Sequence, residues 1–391
     1  MITAIARFDT SRGWAAPLPQ LDSEQTLVLV FGDRTCIDHP EGIAQLLKAF
    51  PRSQVLGCST SGQIVGDSVQ DGGLDALIMK FESATLRVAS VPIEDGSDSR
   101  ALGESLGAKL TANDLKGVFV LSDGTLVNGT QLCAGLTKSL PANTPTTGGL
   151  AGDGDHFERT WVCCNSLPKR GMIAAVGVYG EAAEILHGCK GGWDAFGPER
   201  AVTASAGNVL YELDNAPALG VYEKYLGEQA AQLPASALLF PLLLRRPGEK
   251  TTVVRTILGM SRENGTMTFA GDIPEGSTVQ LMRANFDRLI SGAADAAAMI
   301  PLTRDAHTTA ACVPISCVGR RLILKHRCEE ELEEVAGVLP PGTPNVGFYS
   351  YGEISPHVGA ACELHNQTMT LTVFVEHTRS PGAQNTRKAA A

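Results

Sequence analysis

His187-Gly-Cys-Lys-Gly-Gly-Trp193, midway along the chain, holds the side chains with the most chemistry to offer. An imidazole and a thiol sit two residues apart at the end of an apolar run, so on a strand His187 and Cys189 share a face. Lys190 and Arg200 could hold an anion, and Trp193 and Phe196 could wall an apolar group. Gly188, Gly191 and Gly192 would allow close backbone approach. The pattern fits a bound cofactor with His187 as metal ligand. The plain alternative is a strand end followed by a glycine-rich crossover.

Other groupings offer less. His357-x4-Cys362-x2-His365 suggests zinc but lacks a fourth ligand, and His365 also fits a structural turn, His365-Asn-Gln-Thr368. Cys58-Ser-Thr-Ser61 occupies a strand-to-turn corner where a nucleophile could be presented. No Gly-x-Ser-x-Gly elbow accompanies it, and no His or Asp partner can be assigned. Gly148-Gly-Leu-Ala-Gly-Asp-Gly154 has no Gly-Lys-Ser/Thr and does not follow a strand into a helix as a Gly-x-Gly-x-x-Gly loop would. A catalytic role is therefore not expected.

The elements that must position these residues are alternating strands and helices. Thr26–Phe31, Gln54–Gly57 and Gly117–Leu121 are apolar runs of the fully buried kind. Gly42–Phe50 and Gly129–Leu140 have helical spacing, and Pro51 and Pro141 close them. Leu74–Phe81 with Thr85–Ile93, and Met172–Tyr179 with Ala182–Cys189, are predicted to form hairpins. Residues 1–25 are predicted to be an irregular lead-in. A mixed α/β fold follows, with sheets flanked by helices. Three helices end at Phe50-Pro51, Leu140-Pro141 and Leu339-Pro340, and each precedes a short strand and a glycine-rich turn. This β-α-β-β recurrence predicts duplicated subdomains whose turns line one cleft. In that alignment the strand of His187 matches Thr85–Ile93 and Ser277–Met282.

The chain has 391 residues, of which 43% are hydrophobic and 19% charged, so it can build more than one core. Its net charge of −10, without a Lys/Arg cluster, argues against nucleic acid or an anionic membrane as partner. The ten cysteines follow no framework spacing and read as reduced thiols. Cys163 and Cys164, adjacent on a strand, should point to opposite faces. No stretch reads as a signal peptide or membrane span, which makes a cytoplasmic location the expectation. Residues 378–391 read as a disordered tail.

Taken in series, the turns resemble the FIST sensory family. The matching stretches are Gly57-Cys-Ser-Thr-Ser-Gly62, Leu121-Ser-Asp-Gly124, Gly148-Gly-Leu-Ala-Gly-Asp-Gly154, Asn208-Val-Leu-Tyr-Glu-Leu-Asp214 with Pro217-Ala218, Phe348-Tyr-Ser-Tyr-Gly-Glu-Ile-Ser-Pro356 and His365-Asn-Gln-Thr368. Gln63 stands where an acidic residue is expected. The resemblance implies an N-terminal domain over 26–224, a C-terminal one over 225–377, and a bacterial sensor rather than an enzyme. One subgroup binds haem, senses nitric oxide and regulates a histidine kinase in trans. If this chain is similar, His187 is the proximal iron ligand and Gly188 lets the macrocycle approach the backbone. Trp193 and Phe196 would pack on it, and Lys190 and Arg200 would meet the propionates. Nitric oxide would then weaken the iron–histidine bond and free the loop. The second reading is a small polar metabolite, such as an amino acid, bound among Ser59, Thr60, Asp123, Tyr351 and Glu353. Homo-oligomerisation is compatible with either.

Overall fold

A computed structural model describes residues 1–233, 235–302, 308–357 and 361–377. His307 and the tail expected over 378–391 lie outside the described residues. The fold is mixed α/β, with three six-stranded sheets and one of eight strands among the described residues.

Each six-stranded sheet is built on one parallel pair. In the first, Thr26–Gly32 runs beside Gln54–Ser59; in the second, Leu115–Ser122 beside Thr146–Leu150; in the third, Thr308–Cys317 beside Val346–Ser350. A parallel pair needs a crossover, and helices supply it: Glu41–Ala49, Gly129–Ser139, and Val318–Leu324 with Cys328–Val338. The first of these helices buries Ile43 and Leu46 at i and i+3. The second starts where Asn128 accepts from the Gln131 amide.

Each pair is flanked by an antiparallel closing strand and then an outer strand. The closing strands are Leu74–Lys80, Met172–Tyr179 and Met369–His377; the outer ones are Ile2–Asp9, Thr85–Pro92 and Ala183–Lys190. Residues 1–25 are thus not wholly irregular, because Ile2–Asp9 opens the first repeat. Neither predicted hairpin forms. Leu74–Lys80 and Thr85–Pro92 belong to different sheets, as do Met172–Tyr179 and Ala183–Lys190. The short connections between them cross from one sheet to the next.

The repeats exchange strands in a ring. Gln63–Val65 and Ser68–Gln70 of the first join the third sheet; Val162–Cys164 of the second joins the first; Gly352–Pro356 and Cys362–His365 of the third join the second. The glycine-rich corners meet where this exchange occurs. Ser61 N–H donates to Tyr349 O (2.8 Å), Gly152 N–H to Ser59 O (3.0 Å) and Tyr351 N–H to Leu150 O (3.2 Å). Three equivalent bonds therefore link the corners around a pseudo-threefold axis. Gly148 adopts a φ of 141° and lies so close to Val120 that a Cβ would strike its backbone.

Between the three sheets lies a shared core of Leu29, Phe31, Phe119, Leu121, Val313, Phe348 and Phe374. Phe31 stacks on Phe348 at 4.8 Å, and burying each such ring contributes about 1.5–3 kcal/mol. As expected, Cys163 and Cys164 face opposite ways: Cys163 joins the outer core beneath the first sheet and Cys164 packs on the shared one. The fourth sheet lies wholly within 194–283, between Ala183–Lys190 and the helix Phe286–Ala298. It packs its own core around Tyr222, Met267, Phe269 and Leu281. Thr278–Arg283 belongs to that sheet and is no counterpart of the His187 strand, whose counterparts are Ile2–Asp9 and Thr85–Pro92.

Candidate functional site

The central stretch is shorter as a turn than its glycines suggest. Ala183–Lys190 is the edge strand of the third sheet, and Asp194–Ala206 already belongs to the fourth. Leu186 faces the helices and Ile185 the shared core, so His187 and Cys189 point inward. Opposite them stand Thr372 and Thr370, and the Thr370 hydroxyl donates to the Cys189 sulfur (3.4 Å).

The turn 191–193 is pinned from three sides. Trp193 Nε1 donates to Gln367 O (2.9 Å), and Arg320 Nη1 to Gly191 O (2.6 Å). Gly192 has a φ of 76°, and a Cβ there would strike the backbone of Arg288 in the packed helix. Arg320 is itself held by Glu331 (2.7 Å), both side chains being fully buried, and Glu331 also accepts from Ser316 and Tyr349.

This turn forms one wall of a cavity of about 460 Å³, through Cys189, Lys190, Gly191, Gly192 and Trp193. The fourth sheet adds Leu243, Val254 and Met282, and the segment 250–252 adds Lys250, Thr251 and Thr252. Met299, His357, His365 and Thr368 complete it with Pro356. The two imidazoles meet edge to face with centroids 4.9 Å apart. Burial lowers the pKa of His365, His357 and His187 alike, so all three favour the neutral form. His365 Nε2 lies 3.1 Å from Ser355 O. A carbonyl only accepts, so the proton sits on Nε2 and Nδ1 keeps its lone pair. His357 Nε2 is buried without a partner among the described residues.

Behind His365 the polar character continues inward. Glu353 pairs in register with His365, and it accepts from Ser350 Oγ (2.6 Å) and Thr368 Oγ1 (2.9 Å). Burial pushes its pKa up to about 8. His187 Nδ1, Thr372 Oγ1, Ser355 Oγ and Thr147 Oγ1 are buried and unpartnered among the described residues.

The structure brings Lys190 and Trp193 to the cavity, together with Gly191 and Gly192. His187 does not line it. Gly188 serves a different contact, since a Cβ there would meet Ala296 of the packed helix. Phe196 packs edge to face on Phe240 in the fourth sheet's core, and Arg200 pairs with Asp214 and lies over the Tyr225 ring. Of the second set, only Tyr351 lines a cavity described here, and the others are engaged within the fold. Ser59 Oγ accepts from Trp161 N–H (3.0 Å), Thr60 Oγ1 from Gly62 N–H (3.2 Å), and Asp123 from Thr125 N–H (2.8 Å) and Gly171 N–H (3.0 Å). Tyr351 lines a different cavity, and Glu353 is fully buried. His357 and Lys250 carry no local signal that links them to residue 190; strand exchange brings the first there and the fourth sheet the second. Among the described residues no group of three or more His, Cys, Asp or Glu side chains is arranged to hold a metal ion, which leaves the zinc pattern without a site.

Comparison with known families bears on the whole arrangement. The FIST N domain matches residues 26–216, and the FIST C domain matches residues 218–356. The chain belongs to the FIST family. FIST domains are sensory domains of signal transduction, which fits a protein that is not an enzyme. No curated protein matches the chain. Both FIST halves contribute strands to the second and third sheets, so the two matched segments interlock. Among the described residues of this FIST protein, no helix is long and apolar enough to cross a membrane.

Proposed function

We propose that this FIST protein is a haem-based sensor of nitric oxide, with haem seated in the cavity between the 191–193 turn and the fourth sheet. The observation that carries the reading is His357 Nε2, a buried nitrogen without a partner among the described residues, on the wall of a half-apolar cavity. A neutral imidazole is what an iron ligand requires, and burial favours that form at His357 and at His365. Trp193, Leu243, Val254 and Met282 offer apolar faces to a macrocycle, and Lys190 and Lys250 are the cations for its propionates. When bound, haem supplies an iron that takes a diatomic ligand. His357 replaces His187 as the proposed ligand because it lines the cavity.

The output acts in trans on a histidine kinase. Movement of the turn would be felt by Arg320, and through it by Glu331 on the helix Cys328–Val338. That helix is a candidate link to a partner.

The test is an absorption titration of purified protein with haem. A saturable Soret band that shifts with nitric oxide is expected, and His357→Ala should change its position or abolish it. If the band does not rise above a nonspecific background, haem is the wrong ligand, and a smaller anion between Lys190 and Lys250 becomes the reading to pursue. If His357→Ala and His365→Ala both leave the spectrum unaltered, the ligand assignment fails.

A further inference from the structure

A second cavity, of about 580 Å³, shares no wall residue with the first. It lies between the second repeat and the fourth sheet, with Leu126, Asn128 and Phe157 on one side and Asn208, Leu258 and Phe269 on the other. Among the described residues, no charged side chain lines it. Its volume suits a small molecule.

Three of its wall residues are large, apolar and exposed: Leu258 at 54%, Phe157 at 47% and Leu126 at 42%. Such side chains gathered at one concave mouth mark a binding site more than a stray surface patch. Phe157 is also held in an unfavourable backbone state. Its φ is 55°, in the left-handed region that bulky residues rarely occupy. Asp153 fixes it there by accepting the Phe157 amide (2.9 Å), along with those of Glu158 (3.1 Å) and Arg159 (2.8 Å). The consequence is a platform: the Phe157 ring lies nearly parallel to Tyr351, 16° apart with centroids at 4.5 Å. Tyr351 covers one side of the Phe157 ring, and nearly half of Phe157 remains exposed.

The polar groups of the wall narrow the ligand further. Asn128 is committed, because its amide donates to Asp272 (2.7 Å) and its oxygen caps the Gln131 amide (3.2 Å). Asn208 Nδ2 donates to Phe269 O (2.7 Å), which leaves Oδ1 as an acceptor on a side chain that lines the cavity. An apolar wall, an aromatic platform and one such acceptor define complementary chemistry.

We propose that this second cavity binds a small, flat, uncharged aromatic molecule carrying one N–H or O–H donor, stacked on Phe157 and bonded to Asn208. An indole or a phenol is the simplest such compound. Aromatic stacking adds to area burial, so a saturated ring of similar size should bind less well.

The test titrates the full chain with indole and, separately, with cyclohexanol, followed by saturation-transfer NMR of the ligand. Saturable indole binding is expected, with cyclohexanol at least about fivefold weaker. Phe157→Ala should weaken indole binding about tenfold, and Leu258→Arg, which places a charge at the mouth, should do the same. Both positions are exposed, and a thermal melt matching that of the parent chain verifies folding. Equal binding of indole and cyclohexanol, no saturable binding of indole, or full binding by both variants would overturn the proposal. His357→Ala should not alter the titration, which separates this site from the haem reading.

Discussion

Glu353 is a carboxyl group that the fold keeps protonated. Burial raises its pKa to about 8 even though Ser350 and Thr368 donate to it. A carboxyl whose folded pKa lies above its ordinary 4.5 binds its proton more tightly in the native state. Its stabilising contribution is complete below 4.5 and drains away as pH rises towards 8, by roughly a few kcal/mol in all. Glu353→Gln, which cannot ionise, should remove that loss. Urea unfolding at pH 5, 6.5 and 8 should show the parent chain losing stability relative to the variant across the interval. Parallel pH profiles would mean that Glu353 titrates normally. Arg320 makes the opposite case, a buried charge that is fully matched. Arg320→Met leaves Glu331 charged and unpaired in the core and should cost about 3–5 kcal/mol, whereas Arg320→Met with Glu331→Leu should recover much of it. A double variant no more stable than the single one would contradict this pairing.

At the scale of elements, much of the fold was legible. Buried strands showed as continuous apolar runs, such as Thr26–Phe31 and Gly117–Leu121, and helices ended at Pro51, Pro141 and Pro340. The three corners at Gly57–Gly62, Gly148–Gly152 and Gly347–Gly352 were recognisable as a recurrence and do come together. Pairing was not legible. A strand buried on both faces, such as Met172–Tyr179, carries no pattern that says whether its neighbour is Ala183–Lys190 or Thr85–Pro92. The assumption that adjacent strands form hairpins therefore failed twice. The glycines of 188–192 suggested a ligand loop, yet two of them serve helix packing, Gly188 against Ala296 and Gly192 against Arg288. Within the candidate site, Lys190 and Trp193 were legible from local composition. His357 was visible only as part of a zinc pattern, because the contact that gives it meaning is with the Lys190–Trp193 turn, far away in sequence.

For the whole molecule, strand exchange makes the two halves interdependent. Residues 1–216 lack Gly352–Pro356 for the second sheet, and the three central strands of the third, Thr308–Cys317, Val346–Ser350 and Met369–His377, are missing, so Ala183–Lys190 has nothing to pair with. Expressed alone, that half should show no cooperative urea transition and poorly dispersed amide resonances. A sharp transition with native-like dispersion would show that the first two repeats suffice. The same exchange also sets a timetable for synthesis. Gln63–Val65 leaves the ribosome long before its partner Val346–Ser350, and until that partner follows its pairing edge stays open to chaperones or to other nascent chains. Met369–His377, made later still, lies in the interior of its sheet, between Ala183–Lys190 and Thr308–Cys317. A premature stop at Thr368 would therefore remove an interior strand of a sheet, and quality control should treat the product as unfinished.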